Sequence, residues 1–438
     1  MTSPRQRGDS KDPQVLVSHP GRQHSYETVV AAQVAGMLRR FVTSFYWRGE
    51  TDLQSGAWRA LPSQWRGRLR TQLRRRWHPE IDPSLVATFP AFHTLALIAR
   101  LAERLVPPLG RLDADGRADV AFDRLVARSL RRWPTASIVH AFEGAALYTL
   151  MAARHVGAAA VLDVPSAHEY FHGVAREEGE PVDEEWLASA SARVRAERQQ
   201  ADWLLVPSEY VRRCLVENGA PEDHVAYIPY GADPARFAPE AGRLRGSERT
   251  FRALFVGRVG ARKGVRYLLE AWESLSLPNA ELVLAGGAGR SGRELTSRYR
   301  TNSRWLGNVP YPSIPRLFQA SDIFVFPSLA EGSALVTYEA MSAGLPLVTT
   351  INAGSVVRDG TDGFLVAARS SEAIAAKIEW LYEHPRERRE MGALARERIL
   401  NGYTWRHYRA RLRCLYRAIH AGVCLPSALE EAEPNGSE

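Results

Sequence analysis

Apolar residues in this chain gather in short unbroken runs, with longer stretches of mixed character between them. Runs of this length bounded by turn residues predict buried parallel strands, and the mixed stretches predict the helices that connect them. QVLVSHPG (residues 14–21) predicts a first strand ending in a Gly turn. YETVVAAQVAGML predicts its helix, and RFVTSFYW (residues 40–47) a second strand. Residues 50–130 read as an irregular, Arg-rich insertion. SIVHAF (137–142), AAAVLDV (158–164) and WLLVPS (203–208) predict further strands, with a charged helix, EEWLASASARVRAERQQA, between the last two. A second series follows: ALFVG, ELVLAGG, IFVFPS, LPLVTT and GFLVA, each with a helix after it. Between the two series, PARFAPEAGRLRGSERT (234–250) is polar and rich in Gly, Pro and Arg, the composition of a linker. YTWRHYRARLRCLYRAI (403–419) is an amphipathic terminal helix, and the tail EEAEPNGSE reads as disordered. The expected fold class is α/β: two doubly wound, Rossmann-like domains, residues 1–240 and 250–404, facing across a cleft lined by the carboxyl ends of both sheets.

Composition agrees with this division. A length of 438 residues suits two domains, and 45% hydrophobic with 24% charged residues suits a soluble globular chain. The first thirteen residues lack an apolar signal-peptide core, so secretion is not expected. No uncharged apolar run reaches the roughly 18 residues of a membrane span. Three cysteines make neither a disulfide framework nor a zinc spacing. A cytoplasmic location is expected. The net charge of +8 is carried almost wholly by arginine, since only Lys11, Lys263 and Lys377 are lysines. The plain reading of that pattern is codon bias, yet one of the three lysines falls in a motif described below.

The segment EGSALVTYEAMSAGLP (331–346) concentrates the candidate chemistry. It places Glu331 where a loop leaves a buried strand, and Glu339 about two helical turns further on. The N–H groups at the start of that helix favour an anion. A carboxylate on each side of an anion pocket suits a ligand with both phosphates and sugar hydroxyls.

In these residues the chain resembles the retaining glycosyltransferases of family 4 (glycosyl transferases group 1), which have the GT-B fold. The family's Glu, seven residues, Glu motif is matched by Glu331 and Glu339, followed by AMSAGLP. LFVGRVGARKG (254–264), IPYGAD (228–233), WLGNVP (305–310) and DGTDGFLV (359–366) match further family segments in the same order. The chain departs from the family at Ala334 and in NAGSVVRDG, both in loops around the donor sugar. The resemblance implies that Arg258 and Lys263 hold a donor diphosphate, Glu339 the ribose hydroxyls and Glu331 the sugar. It places Asn308 and Val309 near the base. Gly21, Gly257, Gly332, Ser333, Ala334 and Leu335 complete the donor-binding candidates. It also implies that the terminal helix, about 405–425, returns to the first domain. The implied reaction moves a hexose from a UDP- or GDP-sugar to a glycan or lipid-linked acceptor. It would proceed with retention and without metal or cofactor, in making cell-surface polysaccharide or glycolipid.

The residues support that chemistry on physical grounds. Negative charge builds on a departing diphosphate, and fixed cations aimed there stabilise the transition state more than the ground state. Arg258 and Lys263 lie five apart across a strand-turn-helix junction, close enough to serve one site. Alone, they would read as solvated loop residues. Glu339 suits two adjacent hydroxyls, although an acidic residue early in a helix is also favoured by the macrodipole. On the acceptor side, His140 and Glu143 follow one predicted strand and Asp163 another. The family places a His near the transferring sugar, and His168 is the nearest match. A structural role is the alternative for each.

Leu61, Trp65, Leu69, Leu73 and Trp77 recur every four residues among Arg66, Arg68, Arg70, Arg74, Arg75 and Arg76. Such a basic amphipathic helix either lies on an anionic membrane surface, making the protein peripheral there, or packs its stripe inward. Two rival functions remain at this stage. One is a nucleotide-sugar epimerase or phosphorylase on a similar scaffold, which the separate Arg/Lys motif disfavours. The other is an Arg-rich nucleic-acid binder, for which the chain has no recognition motif.

Overall fold

The computed structural model describes residues 12–21, 24–48, 73, 76–89, 114–133, 136–180, 182–239, 250–299 and 302–423. They form two parallel sheets with helical connections. The first runs in the order β3-β2-β1-β4-β5-β6-β7 and the second in the order β10-β9-β8-β11-β12-β13.

The strands of the first sheet are β1 (Val15–Ser18), β2 (Leu38–Thr43), β3 (Val86–Thr88), β4 (Ile138–Phe142), β5 (Ala159–Asp163), β6 (Trp203–Val206) and β7 (Val225–Tyr227). Its helices are α1 (Ser25–Val34), α2 (Ala114–Leu130), α3 (Leu147–His155), α4 (His168–Glu177), α5 (Glu184–Gln200) and α6 (Glu209–Glu217). β1 pairs with β2 on one side and β4 on the other, with Val17 opposite Phe41 and His140. Strands buried on both faces have no reason to alternate, and VLVS and IVHAF are accordingly buried throughout.

The second sheet contains β8 (Phe251–Val256), β9 (Ala280–Ala285), β10 (Ser303–Trp305), β11 (Ile323–Phe326), β12 (Leu347–Thr349) and β13 (Gly363–Leu365). The helices from α7 onward are α7 (Val265–Ser274), α8 (Arg290–Arg298), α9 (Ile314–Gln319), α10 (Leu335–Ser342), α11 (Ser371–Glu383), α12 (Pro385–Gly402) and α13 (Trp405–Ala421). β8 and β9 stay in register from Phe251–Ala280 to Val256–Ala285. The core between them and β11 is aromatic: Phe255 and Phe326 stack at 5.6 Å, and Phe324 and Phe326 at 5.9 Å.

By internal contacts the chain forms two units. One takes residues 1–164, 192–205 and 409–432; the other takes 165–191, 206–408 and 433–438. The second unit thus includes α4, which follows a strand of the first sheet, while most of α13 groups with the first unit. α13 is held there by Arg409, which pairs with Glu27 and Glu80, and by Arg417, which pairs with Asp12 at 3.0 Å.

Several expectations are corrected in detail. The stretch 50–130 is not wholly irregular, because it contains β3 and α2. Phe122, Val126 and Leu130 recur at four-residue spacing on α2 and are buried, a stripe masked in the sequence by the surrounding arginines. β2 begins and ends earlier than RFVTSFYW, since the Ser44 hydroxyl donates to the Pro20 carbonyl and the chain leaves the ladder there. β12 leads into a single 3-10 turn (Ile351–Ala353) rather than an α-helix. Gly354 ends that turn at φ 61, where a Cβ would lie 2.2 Å from the Gly332 carbonyl oxygen. The arginines proposed for membrane contact, Arg66, Arg68, Arg70, Arg74 and Arg75, lie outside the described residues, as does most of the linker 234–250.

Candidate active site

In a doubly wound sheet, ligands bind beyond the carboxyl ends of the strands where the order reverses. In the second unit this point lies between β8 and β11, and the loops after these two strands border it.

The loop after β8 begins at Gly257 (φ 156), passes Arg258 and makes a 3-10 turn at Ala261–Lys263. It then enters α7 through Gly264 at φ 65. A side chain at Gly264 is excluded twice over: the conformation is left-handed, and an added Cβ would lie 2.0 Å from the Pro327 carbonyl oxygen. Gly286, after β9, is at φ 147, and its Cβ would lie 1.9 Å from the Gly257 carbonyl oxygen. The glycines let three strand-end loops pack backbone against backbone.

The loop after β11 carries Glu331. Its carboxylate Oε1 accepts from Lys263 Nζ and, at 2.7 Å, from Arg262 Nη1. Arg262 also donates to the Ala330 carbonyl at 3.1 Å and lies over the Phe171 ring of α4 at 4.5 Å. Lys263 lies 5.0 Å from the Phe326 ring centre. Burial lowers the Lys263 pKa, Arg262 adds to that effect, and Glu331 opposes it. Two cations and one carboxylate therefore meet at the point where the strand order reverses. Arg258 is exposed and makes no ion pair among the described residues; a Cβ on Gly289, beside the start of α8, would lie 3.7 Å from its Nη2.

The Gly-Ser-Ala stretch after Glu331 is fixed by its backbone. Glu331 N–H donates to the Asn352 carbonyl and Ala334 N–H to that of Ala353, each at 3.0 Å, so both groups are already satisfied. A Cβ on Gly332 would lie 1.5 Å from the Pro165 carbonyl oxygen, and the Ser208 hydroxyl donates to the Gly332 carbonyl. Ser333 Oγ bonds the Tyr338 hydroxyl at 3.0 Å and the Gly354 carbonyl at 2.9 Å. Ala334 is the N-cap of α10 without a side-chain cap, and Leu335 is exposed. α10 ends at Gly344 (φ 75), whose N–H donates to the Met341 carbonyl, while Leu345 N–H donates to that of Ala340. This pair of bonds is the usual close of a helix at a glycine.

Glu339 stands on α10. Tyr311 Oη donates to its Oε1 at 2.9 Å. Burial raises the Glu339 pKa to about 7, against the pull of Tyr311 and Arg236. Asn308 is exposed and Val309 half-buried on the loop after β10, where Gly287 leaves room for the Asn308 amide.

His168 is the first residue of α4, after the end of β5; its side chain is outside the described set. His140, Asp163 and Glu143 lie in the first unit, the first two in a buried network. Asp163 Oδ2 accepts from His24 Nε2 at 2.7 Å and faces His140 Nε2 at 3.4 Å, and His140 Nδ1 meets the Tyr416 hydroxyl of α13 at 2.7 Å. Burial would raise the Asp163 pKa, but His24 and the hydrogen bonds from His140 and His24 bring it down to about 2. Glu143 pairs with Arg198 at 2.8 Å. Gly21 donates its N–H to His19 Nδ1 at 2.8 Å. Burial lowers the His19 pKa to about 4. Among the described residues, no cluster of three or more His, Cys, Asp or Glu side chains is arranged to hold a metal ion. No described helix is long and apolar enough to cross a membrane.

Three participants were not singled out from the sequence. Arg262 was hidden among the many arginines, although it adjoins Lys263. Tyr311 donates to Glu339 and Arg236 lies over the Tyr311 ring; they fall just beyond WLGNVP and IPYGAD, outside the matched segments themselves.

Two family models cover most of this framework. One described as Glycosyl transferases group 1 matches residues 250–384, and one described as Glycosyltransferase Family 4 matches residues 71–236. Among curated relatives, the D-inositol 3-phosphate glycosyltransferase of Thermomonospora curvata is 30% identical over 262 residues, 52% of this chain and 61% of the relative. The GDP-mannose-dependent alpha-(1-6)-phosphatidylinositol monomannoside mannosyltransferase of Mycolicibacterium smegmatis is 27% identical over 264 residues, 55% and 68% of the two chains. The chain spans about half to three-fifths of the length of the first such relatives. Among solved structures, Anabaena HepE in complex with UDP and glucose superposes with a TM-score of 0.61 at 16% identity, covering 93% of this chain and all of that one. The likeness extends the fold, two Rossmann-like domains of GT-B type, to nearly the whole chain.

Proposed function

We propose, for a chain that belongs to the family 4, group 1 glycosyltransferases, that it transfers a hexose from a UDP- or GDP-sugar to a glycan or lipid-linked acceptor. Transfer proceeds with retention of anomeric configuration and without a metal ion, and serves the assembly of a cell-surface polysaccharide or glycolipid. The observation that carries this reading is the meeting of Arg262 and Lys263 on Glu331 at the switch point of the second sheet.

A diphosphate leaving group needs fixed positive charge where its own charge develops. Lys263 and Arg262 supply it, and Arg258 adds a third cation from the same loop. Glu331, held between cations at the edge of that charge, faces the sugar and steadies positive charge on its ring. Glu339 takes the ribose. His168 is the group we assign to a hydroxyl of the transferring sugar. The names of similar proteins agree on donor chemistry: one uses GDP-mannose, another UDP-galactose with a diphosphoundecaprenol-linked acceptor, and HepE was crystallised with UDP and glucose.

The test is a thermal-shift panel of nucleoside diphosphates and their sugars, followed by transfer assays with the stabilising donor, in the presence and absence of a chelator. A ligand that binds only the folded chain raises its melting temperature. We expect stabilisation by UDP or GDP, turnover that needs an acceptor and survives chelation, and a product with the donor's anomeric configuration. Donor conversion without acceptor would point instead to an epimerase. The absence of any nucleotide-dependent shift would sink the donor site itself.

A further inference from the structure

The site contains a second polar chain that donor chemistry alone does not call for. Asp233 Oδ1 accepts from the backbone N–H groups of Ala235 and Arg236, at 3.0 and 3.3 Å, and fixes a tight turn. Phe237 closes that turn by packing edge-on against Phe318 of α9, with ring centres 5.9 Å apart, and against Tyr311 at 6.3 Å. With Phe237 buried, the turn presents Arg236 outward, and its guanidinium lies over the Tyr311 ring at 3.9 Å. Tyr311 opens the 3-10 turn Tyr311–Ser313 and is half exposed, and its hydroxyl donates to Oε1 of the half-buried Glu339.

Among the described residues, Arg236 is the charged group that acts on Glu339. α12, packed along α10, sends Arg396 to the Ser342 carbonyl and Arg398 to the Val356 carbonyl. β11 and β12 contribute buried residues without a titratable side chain. Among the described residues, the groups that act on the carboxyl are therefore Tyr311 and Arg236.

We propose that Tyr311 and Arg236 are a positioning pair: Arg236 fixes the Tyr311 ring, and the Tyr311 hydroxyl holds Glu339 as a charged acceptor for the two hydroxyls of the donor ribose. The proposal rests on the donor reading above and adds residues and a pH dependence to it. A carboxylate accepts from both hydroxyls of a diol, whereas a protonated carboxyl has given one acceptor position to its own proton. Burial alone pushes this group toward the protonated form, and the phenol donor and the guanidinium oppose it. Binding of the ribose is then strongest above neutral pH and weakens as pH falls through about 7.

The experiment is calorimetric titration of uridine and guanosine diphosphates into the wild type, Tyr311→Phe and Arg236→Gln, between about pH 5.5 and 9, with 2′,3′-dideoxy diphosphates as controls. Tyr311→Phe keeps the ring and its packing, so its melting temperature should match the wild type. A variant whose carboxyl binds its proton tenfold more tightly is ionised about fivefold less often at neutral pH, and its affinity falls in proportion. The expected results are a several-fold loss at pH 7 in Tyr311→Phe, recovered by pH 9, with donor KM raised and kcat kept. Arg236→Gln should show a smaller loss in the same direction, and the dideoxy compounds no such pH dependence. If the wild type binds no nucleoside diphosphate, the donor reading has failed. If it binds, and Tyr311→Phe shows the same affinity at every pH, the positioning pair is refuted and the donor reading stands.

Discussion

The two sheets reverse their strand order in the same way, at β1/β4 and at β8/β11, but have opposite surroundings at those points. Beyond β8 and β11 the loops meet backbone to backbone through Gly257, Gly264 and Gly286, and three charged side chains converge. Beyond β1 and β4 the space is filled by rings. His19, His24 and His140 all pack on Phe142, at 4.7, 5.2 and 5.1 Å, and Asp163 is sealed among them. One topology thus brings charged side chains together at one junction, and at the other packs rings around a His–Asp network. The lesson is that a switch point fixes where loops meet, and that side chains decide what is gathered there.

Gly264→Ala should produce the largest effect if the β8/β11 junction is as tight as described. The left-handed backbone and the Pro327 carbonyl both oppose a methyl group, so we expect a loss of about 4 kcal/mol of stability, read by denaturant unfolding. Near-wild-type stability would show that the loops there are slack, and the contrast would collapse.

Lys263→Ala should leave the fold intact, because Arg262 remains to pair with Glu331. The loss appears in turnover, at about 3 kcal/mol of barrier or a hundredfold and more in rate. An active Lys263→Ala enzyme would remove the ammonium from the chemistry and shift attention to Arg258.

The ring-filled junction should respond to acid. The pKa of His19 is depressed to about 4 in the folded chain, below its unfolded value near 6.5, so the unfolded chain binds more protons between these limits. Stability is then flat above about pH 6.5 and falls as pH drops toward 4, by about 2 kcal/mol at pH 5. His19→Asn should flatten that slope while leaving nucleotide affinity unchanged. An equal slope in the variant would assign the acid sensitivity to other groups.

The smallest effect is expected at Gly144, after β4. It too has a positive φ, 95, but among the described residues a Cβ would meet nothing within 4 Å. Gly144→Ala should therefore cost only the backbone term, about 1–2 kcal/mol. A cost equal to that of Gly264→Ala would mean that the two junctions are alike in tightness.

Much of this was legible in the chain itself. The runs ALFVG, ELVLAGG and IFVFPS were readable because strands buried on both faces must be apolar at every position. β3, β7 and β10 were not, and SRW of β10, mostly solvent-exposed, offers no apolar run to read. The motifs also placed Arg258, Lys263, Glu331 and Glu339 on loops and a helix start. What the motifs lacked was partnership. Lys263 and Glu331 are 68 positions apart and meet because β8 and β11 are neighbours, a pairing that no local spacing encodes. His140 and Asp163 look like strand-end ligands in sequence; only the docking of α13, with Tyr416 against His140, reveals them as interior groups.

The segment 165–191 leaves a strand of the first sheet and groups with the second unit. Glu178 takes the Tyr267 hydroxyl at 2.9 Å and Arg369 at 3.1 Å, Glu177 pairs with Arg369, and the Pro165 carbonyl fills the space where Gly332 has no side chain. A gene fragment beginning at residue 250 would therefore encode the second sheet without the arm that walls its acidic loop. Splicing that fragment onto the front half of a relative would bring in a foreign arm against Gly332. Exchange of donor preference between relatives by recombination should succeed only when residues 165–191 travel with the second half.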